Sequence, residues 1–342
     1  MTAEAAQHRP QQGPQHRAVL AASAGVVADA SRPTVGPIAL LPHGNPVFEA
    51  AVVAGGGTVT ALTPQTRGIV WLASADPDGL VAVLAANPQV EWVQLPWAGV
   101  DAFSSVLAPF ADHPLPLWTS AKGAYAQPVA EHALTLVLAV LRVIPTRVRA
   151  TGWSALPEGR SLYGLRIVLV GAGGIAIELL RLLAPFGVEV TVVRRSSEPL
   201  PSAARTVTVD RLDEVLPTAD VVVIAAALTG GTTGLFDARR LSLLGRHAVL
   251  VNIARGGLVD TDALTDALAA GRLAGAGLDV TVPEPLPDGH PLWNEPRVII
   301  TPHSADTPDM TAPLLAERIR LNVAAFTGDG RFVGVVDPSA GY

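Results

Sequence analysis

Six apolar runs recur from residue 165 onwards, and none shows the polar alternation of a strand with one face in water. Segments of helical composition separate them. Strands that are apolar on both faces are typical of a parallel sheet covered by helices on both sides. This part of the chain therefore predicts a doubly wound α/β sheet. The runs are residues 166–170, 189–193, 221–225, 248–253, 275–279 and 298–301.

The preceding part of the chain shows the same alternation on a smaller scale. Short apolar runs alternate with helical segments such as 46–54 and 77–86, which predicts a smaller parallel α/β domain. A helix over 311–326 follows the large sheet, and the short segment 333–342 is expected to pack back on the first domain. The predicted strands of the small domain are 38–41, 59–62, 68–73, 90–94 and 114–120.

A helix between the two patterns, residues 128–143 (PVAEHALTLVLAVLRV), has apolar residues around its whole circumference. Such a helix is buried, either between domains or in a dimer interface. We expect it to open the second domain. The predicted organisation is a disordered tail over 1–35, a first domain over 36–124 plus 309–342, and a second domain over 125–308.

Composition excludes several classes of function. The net charge of −6 leaves no basic field for nucleic acid. The chain has no cysteine, which excludes thiolate catalysis and cysteine-ligated metals, and its eight histidines lack the spacing of a metal site. No apolar run reaches the ~18 residues that a membrane helix needs. We therefore expect no metal, no nucleic acid and no membrane partner.

A glycine-rich turn, GAGGIA over residues 171–176, joins the first strand of the large sheet to a helix. It fits the dinucleotide pattern G-x-G-x-x-G/A, in which Gly171 allows a tight turn and Gly173 lets a pyrophosphate approach the backbone. Ala176 permits close packing of the helix, whose free N–H groups face the phosphates. The residues predicted to bind the cofactor here are Gly171, Gly173, Gly174 and Ile175.

The end of the second strand indicates which dinucleotide is bound. Sites for NAD usually carry an acidic residue there, which binds the ribose 2′-hydroxyl. This chain has Arg194, Arg195 and Ser196 instead. Arginines and hydroxyls favour the 2′-phosphate of NADP through charge-assisted hydrogen bonds. Two alternatives stay open: the arginines are solvated loop residues, or the protein uses both cofactors.

Three polar residues lie where later strands of the large sheet end. Arg255 follows the run 248–253, Glu284 follows 275–279, and His303 follows 298–301. An arginine, a carboxylate and a histidine together can hold a 2-oxo acid and protonate its carbonyl oxygen. With a dinucleotide turn upstream, this set predicts a hydride-transferring enzyme.

The chain resembles the D-isomer-specific 2-hydroxyacid dehydrogenase family over about residues 36–342. The motifs that carry the resemblance occur in the family's order along the chain, so together they are more specific than the glycine turn alone. The resemblance implies two Rossmann-like domains: an NAD(P)-binding doubly wound sheet and a smaller flavodoxin-like substrate domain. The motifs are WVQLPWAGVD (92–101), GAYAQPVAEHAL (123–134), NIARGGLVD (252–260), AGAGLDVTVPEPLP (274–287), PLWNEPRVIITPH (291–303) and VVDPSAGY (335–342).

The resemblance also implies catalytic roles. Arg255 matches the residue that grips the substrate carboxylate and polarises the carbonyl. His303 matches the acid/base histidine, and Glu284 matches the carboxylate that orients it. Asp279 matches the residue that binds the nicotinamide carboxamide, and Ala254 lies beside the cofactor.

A loop of the first domain is implied to receive the substrate. The backbone N–H groups of Ala98, Gly99 and Val100 match the family's carboxylate-binding loop. Trp97 lies beside them and either shapes the pocket for the substrate side chain or serves only in packing. The family and the apolar helix 128–143 together predict a homodimer.

The favoured function is NADPH-preferring reduction of a small 2-oxo acid such as glyoxylate or hydroxypyruvate. A second interpretation is NAD-dependent oxidation of a D-2-hydroxy acid or of 3-phosphoglycerate. A third belongs to another class, since some relatives in the family act as dinucleotide-sensing corepressors. Turnover of simple 2-oxo acids discriminates the enzyme from the sensor.

The first residues of the chain differ from the rest. Residues 1–17 are rich in Gln, His and Pro, which predicts disorder. Residues 18–30 are mildly apolar and end in Ala28-Asp29-Ala30, which mimics a signal-peptide cleavage site. We favour a dispensable tail on a cytoplasmic protein, because a soluble nicotinamide cofactor belongs in the cytoplasm.

Overall fold

The computed structural model describes residues 24–73, 76–153 and 157–339. The chain divides into two units. Unit 1 contains the chain up to Ala124 and again from Pro308, and unit 2 is the uninterrupted segment Tyr125–Thr307. The polypeptide therefore crosses between the units twice.

Thirteen strands are present in the described residues. Most are three to five residues long, as expected for strands in a buried parallel sheet. They are β1 (Ala24–Val26), β2 (Ile38–Leu41), β3 (Gly68–Trp71), β4 (Trp92–Gln94), β5 (Leu117–Thr119), β6 (Arg166–Val170), β7 (Glu189–Arg194), β8 (Arg205–Thr208), β9 (Val221–Ile224), β10 (Val249–Asn252), β11 (Gly275–Leu278), β12 (Val298–Ile300) and β13 (Arg331–Val333).

The α-helices of the described residues range from single turns to the 20 residues of the helix that begins at Pro308. They are α1 (Pro46–Ala54), α2 (Pro77–Ala86), α3 (Ser104–Leu107), α4 (Ala126–Leu141), α5 (Ile144–Val148), α6 (Gly174–Leu183), α7 (Leu212–Val215), α8 (Ala238–Leu243), α9 (Thr261–Ala269), α10 (Pro291–Asn294) and α11 (Pro308–Thr327). None of these helices is long and apolar enough to span a bilayer.

Unit 2 contains a seven-stranded sheet in the order β12-β11-β10-β9-β6-β7-β8, with every neighbouring pair parallel. The strand order reverses between β6 and β9, which is the doubly wound arrangement. The predicted fold class is confirmed. One strand, β8, was not predicted, because three of its four residues (RTVT) are polar and only Val207 is buried.

Helix α4 covers one face of this sheet and packs against β10, β11 and helix α6. Its close approach requires Gly277 in β11, where an added Cβ would lie 2.9 Å from the Cβ of Leu136. The helix is buried on the face that meets the sheet, whereas Glu131 and Thr135 are exposed. Burial around the whole circumference, expected from the sequence, is therefore not reached within this chain.

Unit 1 contains a parallel sheet in the order β2-β3-β4-β5. The predicted strand 59–62 is reduced to a single parallel bridge between Val59 and Ile38. That bridge lies on the β2 edge, which gives the strand order of flavodoxin-like sheets. At the opposite edge Val335 bridges Thr119, and Val336 is buried. The segment from residue 333 returns to this unit as predicted, with residues 340–342 outside the described part.

The prediction of a disordered tail over 1–35 is wrong for residues 24–35. Strand β1 pairs antiparallel with β13, and the Val27 N–H donates to the Gly330 carbonyl. Pro33 is buried. Composition cannot reveal this pairing, because the edge of β13 supplies backbone hydrogen bonds to a segment that is short and only mildly apolar. Residues 1–23 lie outside the described residues.

Candidate active site

The glycine turn of unit 2 leaves strand β6 and enters helix α6. Gly171 has a φ of +114°, and an added Cβ would lie 2.4 Å from the Ala225 carbonyl oxygen, so only glycine fits. Gly173 precedes α6 without a side-chain cap, and a Cβ there would meet nothing within 4 Å. The turn therefore offers uncapped helix N–H groups facing open space, which fits the pyrophosphate of a dinucleotide.

Strand β7 brings Arg194 next to this turn. The Gly171 N–H donates to the Val193 carbonyl at 2.8 Å. Arg194, the last residue of β7, is the next residue after Val193 and so lies beside the turn. Arg194 is half-buried and reaches the Glu198 carbonyl at 3.4 Å, while Arg195 and Ser196 are exposed. This edge of the site carries positive charge and hydroxyl groups.

Arg255 lies in a loop whose backbone is held by the Asn252 side chain and by close packing of Gly256. The buried Asn252 side chain donates to the Arg255 carbonyl at 2.9 Å and accepts from the Ala254 N–H at 3.1 Å. Gly256 approaches the next loop so closely that an added Cβ would lie 1.9 Å from the Thr281 carbonyl oxygen. The backbone at Arg255 is thus fixed by contacts that do not involve the guanidinium, which itself donates to the Ala254 carbonyl at 2.8 Å.

His303 and Glu284 form a pair. The His303 Nδ1 lies 2.7 Å from the Glu284 Oε1, and the two side chains are 48% and 42% exposed. An ionised carboxylate only accepts, so Nδ1 carries the proton and Nε2 is left to exchange a proton with a substrate. The His303 backbone has a φ of +48°, a conformation that few residues other than glycine adopt.

Asp279 is a buried carboxylate at the end of β11. Its Oδ1 accepts from the Thr301 hydroxyl at 2.6 Å and the Ser304 N–H at 2.9 Å, and its Oδ2 accepts from the Ala305 N–H at 3.2 Å. Burial alone would raise the pKa of Asp279. The hydrogen bonds from His132, Thr301 and the Ser304 N–H outweigh that effect, so the pKa lies below its ordinary value. The group is an ionised anchor for the loop after His303.

Two titratable residues of this region were missed by the sequence reasoning. His132, on helix α4, places its Nε2 2.9 Å from the Thr301 hydroxyl. Asp306 is half-buried, and burial raises its pKa; the charge of Asp279 also raises it, whereas His303 and Arg255 lower it. In the sequence, His132 is one residue of an apolar helix and Asp306 is an ordinary loop aspartate, so neither gave a signal.

The structure brings most of the predicted residues of unit 2 to one edge of its sheet. The glycine turn, Arg194, Arg255, Asp279 and His303 all follow the carboxyl ends of parallel strands, which is where doubly wound sheets bind ligands. Ala254 is buried beside Arg255. Among the described residues, no group of His, Cys, Asp or Glu is arranged to hold a metal ion.

The loop predicted to receive a carboxylate lies in unit 1, directly after β4. Trp97 is exposed, Ala98 and Gly99 are half-buried, and Val100 is buried. The loop is held from both sides, since the Trp97 carbonyl accepts from the Ala121 N–H at 3.0 Å and the Val100 carbonyl accepts from the Phe103 N–H at 2.9 Å.

Known proteins are similar to this chain over much of its length. Residues 134–305 match a family model described as the NAD binding domain of D-isomer specific 2-hydroxyacid dehydrogenases. An uncharacterised protein of the proB 3′ region of Corynebacterium melassecola is 36% identical over 297 residues, which is 85% of this chain and 95% of that protein. A D-3-phosphoglycerate dehydrogenase of Mycobacterium tuberculosis is 32% identical over 81% of this chain, which spans only 57% of its length.

Solved structures are similar over most of the chain. A D-isomer specific 2-hydroxyacid dehydrogenase of Xanthobacter autotrophicus, in complex with NADPH and MES, is 28% identical, with a TM-score of 0.75 over 90% of this chain and 100% of its own. An NADPH-dependent glyoxylate/hydroxypyruvate reductase of Sinorhizobium meliloti, with NADP and sulfate, is 25% identical, with a TM-score of 0.72 and the same coverage of both chains.

Proposed function

The chain belongs to the D-isomer specific 2-hydroxyacid dehydrogenase family, and from that premise we propose that it reduces a small 2-oxo acid, such as glyoxylate or hydroxypyruvate, with NADPH as the preferred cofactor. The observation that carries the proposal is the His303–Glu284 pair at 2.7 Å, on the same sheet edge as Arg255 and the glycine turn. At that edge His303 is proposed as the acid, Arg255 as the cation that binds the α-oxo acid, and the glycine turn as the binding site of the pyrophosphate.

The residues divide the chemistry among them. The bound cofactor supplies a hydride to the carbonyl carbon. Arg255 holds the carboxylate through its planar fork and stabilises the negative charge that develops on the carbonyl oxygen. His303 donates the proton from Nε2 to that oxygen, and Glu284, bonded to Nδ1, stabilises the imidazole in its charged form before the transfer.

We propose that the substrate carboxylate also meets the backbone N–H groups of the loop Ala98–Val100. The proposal is supported by the two hydrogen bonds that fix this loop and by the partial exposure of Ala98 and Gly99. Trp97, exposed at the start of the loop, is proposed to limit the size of the substrate side chain.

The preference for NADPH has its own test in Arg194. Changing Arg194 to Asp places a negative charge where a 2′-phosphate is proposed to bind. Because one charge-assisted hydrogen bond contributes about 1.5–3 kcal/mol, the ratio of kcat/KM for NADPH over NADH should fall by roughly 10-fold or more. Steady-state rates with both cofactors measure this ratio. The matched control is Arg205→Asp, an exposed arginine at the opposite end of the adjacent strand β8. An unchanged ratio in Arg194→Asp would remove Arg194 from cofactor recognition.

The test of the activity itself is the loss of reduced-nicotinamide absorbance with glyoxylate, hydroxypyruvate, pyruvate and a bulky 2-oxo acid in parallel, each with NADPH and with NADH. Faster oxidation of NADPH by a small acid is the expected result. Oxidation of 3-phosphoglycerate with NAD as the best reaction would favour the second interpretation, which the M. tuberculosis relative supports by its name. Binding of both cofactors without turnover of any acid would favour a dinucleotide-sensing protein.

We further propose that the protein is a homodimer formed through α4 and the segment after it. Ile144, Val148 and Trp153 are 41%, 74% and 99% exposed, and such apolar surface close to the exposed side of α4 is typical of an interface. Sedimentation at micromolar concentration should give a dimer, and Val148→Asp should shift it to monomer. A wild-type monomer at that concentration would refute the proposal.

The cytoplasm is the compartment that the proposed reaction requires, because NADPH is a soluble cofactor. We propose that location on this chemical ground alone. Cell fractionation tests it, and recovery of the protein outside the cytoplasmic fraction would refute it.

A further inference from the structure

A chain of three side chains links helix α4 to the carboxyl edge of the large sheet. The His132 Nε2 lies 2.9 Å from the Thr301 hydroxyl oxygen, which lies 2.6 Å from the Asp279 Oδ1. The direct distance from the His132 Nε2 to the Asp279 Oδ1 is 3.4 Å. The His132 side chain is 19% exposed and that of Asp279 is 1% exposed, so the chain runs from the rim of the unit to its interior.

The direction of the hydrogen bonds in this chain is fixed. An ionised Asp279 only accepts, so the single hydroxyl proton of Thr301 points to the carboxylate. The Thr301 oxygen then has only lone pairs left for His132, and Nε2 must carry a proton. His132 therefore donates to Thr301, and Thr301 donates to Asp279.

Asp279 in turn holds the loop that carries His303. Its carboxylate accepts the N–H groups of Ser304 and Ala305, and its backbone carbonyl accepts the His303 N–H at 2.8 Å. Because the His303 backbone is in the left-handed region, these three bonds retain it in a conformation that a free loop seldom adopts. Asp279 thus holds the backbone of the loop from which the imidazole of His303 projects.

We propose that His132 is a positioning residue of this site, which acts through the Thr301 hydroxyl on Asp279 and thereby holds the His303 loop in place. The proposal rests on the proposed reductase function for its kinetic consequence, but its structural consequence does not require turnover. It adds a residue of helix α4 to a site otherwise built from the loops after the strands.

The proposal has a pH consequence whose sign follows from the groups around Asp279. His132 acts on the carboxylate from helix α4, and Asp306 interacts with it from the loop after β12; His303 and Arg255 act on Asp306. His132, with its Nε2 3.4 Å from the Asp279 Oδ1 and bonded to Thr301, lowers the pKa of Asp279. Without it the carboxylate would protonate at a higher pH and lose its hold on the loop. The acidic limb of the kcat profile should therefore move to higher pH in a variant that lacks this donor.

The experiment compares His132→Phe, which removes the donor, with His132→Gln, whose amide N–H can replace it. In His132→Phe we expect kcat to fall on the order of 10-fold or more, as for small misplacements of catalytic groups. The acidic limb of its kcat profile should move to higher pH, and hydrogen exchange at the Ser304 and Ala305 N–H groups should become faster. In His132→Gln the kcat and the exchange rate should return to within about threefold of wild type and the acidic limb should return toward its wild-type position, since the amide N–H replaces the imidazole N–H as donor.

Two further variants separate positioning from packing. Thr301→Val removes the hydroxyl that links His132 to Asp279. The double variant with His132→Phe should therefore lose little more kcat than either single variant. His247→Phe is the matched control, because its Nε2 lies 3.4 Å from an Asp220 oxygen at the opposite edge of the sheet. It should leave kcat and the exchange at residues 304 and 305 unchanged.

The outcomes distinguish the two proposals. Unchanged exchange at residues 304 and 305 in His132→Phe would overturn the positioning role, as would equal losses in the Phe and Gln variants. If wild type turns over no 2-oxo acid, the proposed function fails, yet faster exchange in His132→Phe and its restoration in His132→Gln would still establish the positioning role.

Discussion

Changing Arg255 to alanine is expected to lower kcat/KM for a 2-oxo acid by about 100-fold or more, on the order of 3 kcal/mol of transition-state stabilisation. The guanidinium is the cation proposed to meet both the carboxylate and the carbonyl oxygen. The variant is informative because the loop is held by Asn252 and by Gly256 against Thr281, contacts that the substitution leaves in place. The loss should therefore report the guanidinium and not a moved backbone.

Controls for this prediction come from the chain itself. Arg255→Lys keeps the charge but not the planar fork, and it should recover only part of the loss. Arg272→Ala removes an exposed arginine at the other edge of the sheet and should have no effect. Dissociation constants for NADPH should stay within about threefold of wild type in all three variants, since none is proposed to touch the phosphates. Near-normal turnover of Arg255→Ala would remove Arg255 from the mechanism.

The second large effect is expected at His303. Replacing it by asparagine should lower kcat by roughly 100- to 10,000-fold, the usual contribution of a general acid, while the affinity for NADPH is retained. Asparagine is the suitable substitute because it tolerates the left-handed backbone observed at this position better than alanine. Stopped-flow reduction and fluorescence titration with NADPH measure the two quantities separately.

His247→Asn serves as the control for a histidine outside the site, and it should leave kcat unchanged. If His303→Asn instead loses NADPH affinity while kcat at saturation is preserved, His303 shapes the cofactor site and another group is the acid. Asp306 would then be the first residue to examine, because burial raises its pKa and it lies close enough to His303 and Arg255 for their charges to act on it.

Much of this architecture could be predicted because it depends on local patterns. The apolar runs predict the parallel strands, and the steric demand at Gly171 makes the turn recognisable from glycines alone. Arg255, Glu284 and His303 were found because each follows a strand whose carboxyl end must lie at one edge of the sheet, whereas Asp279 was found through the family resemblance. Their roles stay predictions until they are measured.

The features that escaped prediction depend on contacts between distant parts of the chain. His132 and Thr301 are separated by 169 positions, and neither residue is unusual in its own segment. The same holds for β1 and β13, which are short and are stabilised by each other's backbone. Periodicity cannot reveal such pairs, since each partner completes a hydrogen-bonding requirement that the other segment leaves open.

Because unit 1 is formed by two segments with unit 2 between them, it is completed last during translation. Unit 2 is one continuous segment, so every residue of its sheet is synthesised before α11. Unit 1 cannot be completed until then, because Asn322 of α11 bonds both Gln94 and β13, and Phe326 stacks on Trp92. During translation the strands of the small sheet are therefore made first, and Trp92 lacks its stacking partner Phe326 until all of unit 2 has been synthesised.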